Sequence, residues 1–210
     1  MPRLLSLSLP PLNRLAAGLL LLAGLAFGNA TAGRAAEADG FIRKVGAETL
    51  EALDRSLAAD RREDLVRELL EKHLDLATVS RFCLGRYSRQ LTEAQAKEYD
   101  PLFVEYLVKV YAGLLAQYDG QTMSVHDGTS RESEPSGTQL VLSQINRKAG
   151  PPIRVEWKVV EKGGQPKVTD VIIEGVSMAF TQRQQFESVI QNNGGKVEAL
   201  FPALRKQISR

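Results

Sequence analysis

IRVEWKVVEKGGQPKVTDVIIEGVSMAFTQRQQF, residues 153 to 186, divides into two strands, a tight turn and a helix. Ile153, Val155, Trp157 and Val159 alternate with Arg154, Glu156 and Lys158, the period of a half-buried strand whose charged face is wet. After Lys162 the pair Gly163-Gly164 supplies the positive φ that a hairpin turn demands. Val171 and Ile173 continue the apolar face on the returning strand, and Asp170 and Glu174 point the other way. Ile172 breaks the alternation and is expected under a helix.

A sheet with one apolar face has to be covered, and the cover lies upstream. Met123 and Val125 mark a first strand, residues 126–136 a polar loop, and Leu140 to Ile145 a second strand that ends before Pro151-Pro152. Helices are expected over Ala179–Asn192 and Val197–Gln207. About four antiparallel strands after a run of helices give an α+β fold: an N-terminal helical layer on a twisted antiparallel sheet.

The helical run begins with Ala38–Ala58, whose stripe is Phe41, Val45, Leu50, Leu53 and Leu57. Asp60 is the expected cap of a second helix that buries Leu65, Leu69 and Leu70. Asp75 opens a third, stopped by Gly85. Thr92 and Gln95 form a capping box for the longest helix, in which Pro101 is expected to force a kink or restart. From Leu102 to Tyr118 the apolar residues are dense: Phe103, Tyr106, Leu107, Val110, Tyr111, Leu114, Leu115 and Tyr118. Such a face exceeds what packing on one sheet requires, so it serves either as a plain core or as one wall of a cavity. Tyrosine suits the rim of such a wall, since its ring is apolar and its hydroxyl can meet water or a headgroup.

The N-terminus sets the compartment. Arg3 and Arg14 precede or flank an apolar run from Leu15 to Phe27, no acid appears before Glu37, and Ala30-Thr31-Ala32 has small-x-small character. The run is shorter than the about 20 residues that span a bilayer, so residues 1–32 read as a signal peptide and 33–210 as one domain. Removing Arg3 and Arg14 lowers the 27 basic residues to 25, equal to the 25 acidic ones. A neutral chain lacks the positive field expected of nucleic-acid binding. The single cysteine, Cys83, excludes an internal disulfide and reads as a small buried residue.

VTDVIIEGVSMAFTQRQQF resembles the C-terminal signature of the MlaC family, also called the toluene-tolerance family, which are periplasmic phospholipid carriers of the Mla ABC transport system. The matching positions are Asp170, Val171, Glu174, Gly175, Val176, Ser177, Arg183 and Phe186, and the Leu84-Gly85-Arg86-Tyr87 exit of the third helix is similar as well. Pro166-Lys167-Val168-Thr169 departs from the aromatic-rich approach usual in the family. The resemblance implies a cystatin-like or nuclear-transport-factor-like sheet and a helical layer that enclose acyl chains, with no cofactor. It implies as partners an outer-membrane lipoprotein complex and an inner-membrane ABC transporter with a substrate-binding ring. The cavity walls are then expected from Phe103, Tyr106, Leu107, Val110, Tyr111 and Leu114 on the helix, and from Val141, Val155, Trp157, Val171, Ile173 and Met178. Arg147, Lys148, Arg154 and Arg183 are candidate headgroup or docking contacts, or simply a solvated sheet edge.

The chemistry that is missing narrows the choice. His73 and His126 are far apart and no Cys or carboxylate cluster has ligand spacing, so a zinc or iron site is not expected. There is no Gly-x-Ser-x-Gly elbow, P-loop or Gly-x-Gly-x-x-Gly. Two alternatives to the phospholipid carrier stay open: a hopanoid-associated carrier of the same fold, and an enzyme on a cone-shaped sheet that uses Asp170 as its base.

Overall fold

The computed structural model describes residues 33–50, 58–116, 118, 120–126, 128–135 and 137–209. The expected signal peptide lies outside them, as do Leu53 and Leu57 of the first helix. Helix α1 covers 33–50. It is followed by α2 (Ala59–His73), α3 (Leu76–Leu84), a 3-10 turn (Gly85–Gln90) and α4 (Glu93–Leu115). The strands are β1 (Thr122–Val125), β2 (Arg131–Ser133), β3 (Thr138–Asn146), β4 (Ile153–Lys162), β5 (Gln165–Ile173) and β6 (Val176–Ser177). Then come α5 (Met178–Asn192), a single 3-10 turn and α6 (Leu200–Ile208). Helices first and sheet second is the expected α+β order.

The open sheet runs β1-β3-β4-β5-β6, with β2 also paired to β3, and every pairing between strands is antiparallel. Among the described residues there are six strands where about four were expected. The two additions, β2 and β6, are only three and two residues long, too short for an alternating pattern to reveal. The central hairpin forms as read: Lys162 pairs with Gln165, and Gly163 and Gly164 take φ of 60° and 74°. A bulge interrupts β5, where Lys158 pairs with Asp170 but Val159 pairs with Val168, leaving Thr169 as the extra residue. Val168, Val171 and Ile173 therefore share a face with Val159, Trp157 and Val155, and Asp170 turns to the other side. At the outer edge of β5 the Asp75 N–H donates to the Val168 carbonyl at 2.9 Å, so the α2–α3 junction covers the strand there.

Two apolar clusters hold the chain together. The larger lies among helices and joins Val66, Leu84, Tyr99, Phe103, Leu107 and Val108 to Phe186, Ile190, Leu200 and Leu204. Phe103 meets Phe186 edge-on with centroids 6.2 Å apart, and Tyr99 donates its hydroxyl to the Ser80 carbonyl at 3.0 Å. The smaller cluster joins Ala38 and Ile42 of α1 to Val141, Val159 and Val168 of the sheet.

Local signals explain several ends and several departures. Asp75 caps α3 by accepting the Thr78 N–H, Gly85 stops it at φ 56°, and Thr92 with Gln95 forms the capping box of α4. Asp60 does not cap α2: the cap position is Ala58, and Asp60 sits within the first turn. An acid there still favours the positive end of the helix dipole. The buried stripe of α2 is Val66, Leu70 and His73, one position off from Leu65 and Leu69, which are half-buried. In α1 the buried residues are Ala38, Asp39, Ile42, Val45 and Gly46, and Leu50 is exposed. Helix α4 runs unbroken through Pro101. Pro101 and Lys97, whose carbonyl loses its donor, are both on the exposed side of the helix, where an unpaired carbonyl is tolerated. Glu156, expected on the wet face, is buried and paired with Arg154.

Candidate functional site

Helix α4 packs mainly on α2, α3 and α6, whereas α1 lies on the apolar face of the sheet and α2, α3 and α5 meet the sheet at β5. The apolar face of the sheet and the buried residues of α4 belong to separate clusters, and Leu74 packs against both. Trp157 and Val171 pack against the sheet cluster and Tyr111 against the helical one, Ile173 belongs to neither, and none of the four is fully buried.

The twelve expected wall residues fall into three groups. Phe103, Tyr106 and Leu107 are buried in the helical cluster, where Phe103 and Tyr106 contact Phe186. Tyr106 also donates its hydroxyl to Gln182 Oε1 at 2.8 Å. Val141 and Val155 are fully buried on the apolar face of the sheet, with Trp157, Val171, Ile173 and, at the start of α5, Met178 half-buried. Val110 and Leu114 are exposed at 38% and 55%, so α4 presents an apolar edge to solvent near its C-terminus. Tyr111 is half-buried, and its hydroxyl is pushed up to about 12 by burial first and then by the nearby Cys83 and Asp170. It therefore stays a neutral, hydrogen-bonding group at any physiological pH.

Two polar features accompany this apolar surface. Trp157 Nε1 donates to Ser143 Oγ at 2.8 Å, and the Ser143 hydroxyl donates to the Val155 carbonyl at 3.2 Å. Asp170 faces away from the apolar side and accepts from the Ser177 hydroxyl and the Ala179 N–H. Cys83 is buried with its Sγ 3.8 Å from the Ala179 carbonyl, and burial together with Asp170 pushes its thiol up to about 12.

Of the four basic candidates, Arg147, Lys148 and Arg154 gather around the β3–β4 connection, and Arg183 stands apart on α5. Arg147 donates to the Pro151 carbonyl from both Nε and Nη2, and Arg154 pairs with Glu156. Arg183 pairs with Glu187 at 3.0 Å and stacks over Phe82, 5.6 Å from its centroid. Sequence reasoning missed Ile42, because the neighbouring Phe41 fitted the same spacing, and Ser143, whose polarity disguised its place on the apolar face. Among the described residues no three His, Cys, Asp or Glu are grouped to hold a metal ion, and no helix is long and apolar enough to cross a membrane.

A helical layer over an open, one-faced antiparallel sheet defines the class as α+β. The family model described as MlaC protein matches residues 43–206, and the chain belongs to that family. Toluene tolerance protein ttg2D of Pseudomonas putida is 24% identical over 148 residues, covering 70% of this chain and 67% of that protein. A solved structure of the phospholipid-binding protein from Ralstonia solanacearum, in complex with a phospholipid, matches with a TM-score of 0.69 at 23% identity. That match covers 82% of this chain and 97% of the other, and it is a likeness of fold.

Proposed function

We propose that the protein is a periplasmic carrier that holds phospholipid acyl chains between the apolar face of the sheet and α4. In this reading it shuttles lipid between an outer-membrane lipoprotein complex and an inner-membrane ABC transporter with a substrate-binding ring. The observation that carries the reading is the division of the apolar residues into two clusters, with Trp157 and Val171 half-buried beside the sheet cluster and Tyr111 half-buried beside the helical one. Family membership and the lipid-bound relative of the same fold support it, and the expected signal peptide supports the compartment.

The energetics suit a carrier that needs no cofactor. Each methylene taken out of water gains about 0.8 kcal/mol, so a chain of about 14 gains on the order of 11 kcal/mol in a dry site. A bilayer offers the same chain nearly the same environment. Transfer from membrane to protein is then near neutral, escape into water is steeply uphill, and exchange is confined to docking events.

Native mass spectrometry of residues 33–210, purified from a bacterial periplasm without detergent, with lipid analysis of the extract, tests the reading. A diacyl phospholipid adduct that is lost in Val171→Glu is the expected result. A hopanoid adduct would keep the fold and change the cargo. A clean apo mass with no uptake from vesicles would overturn the carrier. The enzyme reading would then return, and it requires Asp170→Asn to abolish turnover.

A further inference from the structure

Tyr87, Tyr99, Tyr106 and Tyr111 all pack in the helical cluster, and the first three have a partner for the hydroxyl. Tyr99 donates to the Ser80 carbonyl at 3.0 Å, Tyr106 donates to Gln182 Oε1 at 2.8 Å, and Tyr87 accepts from Arg86 at 3.1 Å. Tyr111 is the exception: among the described residues nothing forms a hydrogen bond with its hydroxyl. A tyrosine inside a fold ordinarily finds such a partner, so the gap points to one from outside the chain.

The hydroxyl is deep and still within reach. Burial is the first cause that pushes it up to about 12, so protein surrounds it. Among the described residues the side-chain polar atoms that are both sealed and unpaired are Arg81 Nη1 and Asp100 Oδ1, and the Tyr111 oxygen, being neither, faces open space. Along α4 the chain passes from buried Phe103 and Tyr106 to exposed Val110 and Leu114. Tyr111 stands where the filled half of the helix gives way to an open apolar edge.

The surroundings select an uncharged guest atom. The charged group that bears on the hydroxyl is Asp170, and among the described residues no Lys or Arg does. Both Asp170 oxygens are already taken, by the Ser177 hydroxyl and the Ala179 N–H. A phosphate placed there would meet a carboxylate with no cation to offset it, whereas a neutral acceptor meets no such cost. The neutral hydroxyl has one proton to give. The matching atom is a carbonyl oxygen on an otherwise apolar molecule, which is what the ester of an acyl chain supplies.

We propose that the Tyr111 hydroxyl donates to an acyl-ester carbonyl of the bound lipid, and so selects glycerol esters over lipids of the same shape that lack that oxygen. The inference rests on the carrier reading above and adds a requirement on the linkage of the cargo. Water can meet the hydroxyl while the site is empty, and a carbonyl that takes its place keeps the bond. A dialkyl ether lipid displaces the water and leaves the hydroxyl unpaired, which weakens uptake about fivefold.

Vesicles holding equal amounts of diacyl phosphatidylcholine and its dialkyl ether analogue are offered to residues 33–210, and native mass spectrometry reads which lipid is taken. Wild type is expected to favour the diester about fivefold. Tyr111→Phe, which removes one oxygen and keeps the ring, is expected to take both equally. Infrared spectra of bound phosphatidylcholine labelled with carbon-13 at the ester carbonyls give the second measurement, with one carbonyl band expected at lower wavenumber in wild type than in Tyr111→Phe. Equal uptake of the two lipids by wild type, an undiminished preference in folded Tyr111→Phe, or the same carbonyl bands in both proteins overturns the proposal and leaves the carrier standing. A wild type that takes up neither lipid overturns the carrier reading, and the ester contact with it.

Discussion

Asp170 accepts the hydroxyl of Ser177 at 2.6 Å, and through its second oxygen the Ala179 N–H at 3.1 Å. Ser177 in turn accepts the Phe180 N–H at 3.0 Å as the cap of α5. One carboxylate thus ties the end of the sheet to the start of the helix, which is a positioning task and leaves neither oxygen idle. Asp170→Ala is expected to lower stability by about 1–3 kcal/mol, since a buried donor loses its partner. Chemical denaturation measures that loss. Asp170→Asn, which keeps one acceptor oxygen, is expected to lose less and to retain bound lipid.

Gly85 ends α3 at φ 56°, and a Cβ there would run into the Glu187 carboxylate and the Arg183 guanidinium. Gly85→Ala therefore combines an unfavourable backbone region with the disruption of an ion pair, and the two together are expected to cost about 2–3 kcal/mol. A fall in Tm checks it. An equal fall in Gly85→Ser, and none in Gly113→Ala, would show that the effect belongs to this site, because nothing stands within 4 Å of a Cβ at Gly113.

Glu48 binds α1 to the end of α2, with Lys72 Nζ at 2.9 Å and His73 Nε2 at 2.6 Å. Lys72 and then His73 hold its carboxyl at about 2, below the ordinary 4.5. A carboxylate with a depressed folded value stabilises the fold above its unfolded value, and that contribution fades as pH falls from 4.5 toward 2. Glu48→Gln is expected to melt below wild type at pH 6 and to converge on it near pH 2. Thermal melts across that range decide the matter, and a constant gap would contradict the assignment.

Cys83 is expected to be inert in the folded protein. Its thiol is 1% exposed and shifted up to about 12, so almost no thiolate is present or reachable at neutral pH. Iodoacetamide at pH 8 should leave the native chain unmodified and label it fully in guanidinium, as mass spectrometry will show.

Much of this architecture was legible in the sequence wherever a residue acts on its immediate neighbours. The Gly163-Gly164 turn, the Thr92–Gln95 box, the Asp75 cap and the Gly85 stop are decided within one turn of chain, and each forms as read. Features settled by distant partners were not legible. Whether α1 buries Phe41 or Ile42 depends on the sheet that it meets, and both residues fit a helical stripe. Pro101 passes without a break because its surroundings are wet, which a local rule does not include. The same division runs through the candidate site. Alternation picked out Val155, Trp157, Val171 and Ile173 as one face, but it offered no sign that Val110 and Leu114 would be exposed while Phe103 and Leu107 pack among helices.

Thr169 changes the phase of β5. Upstream of it Val168 points to the apolar side, and if Thr169 were paired as an ordinary residue rather than bulged, the next side chain on that side would be Asp170 rather than Val171. One strand thereby performs two incompatible tasks, lining an oily face along its length and presenting a carboxylate to a helix on the opposite face. Straightening the bulge, with Thr169 taken into the ladder as an ordinary residue, would turn one half of the strand over against the other and aim the Asp170 charge into the apolar side. The polar junction with α5 and the greasy surface beside it are thus coupled through one backbone irregularity, and any change at Thr169 has to keep Val168 and Val171 on one face and Asp170 on the other.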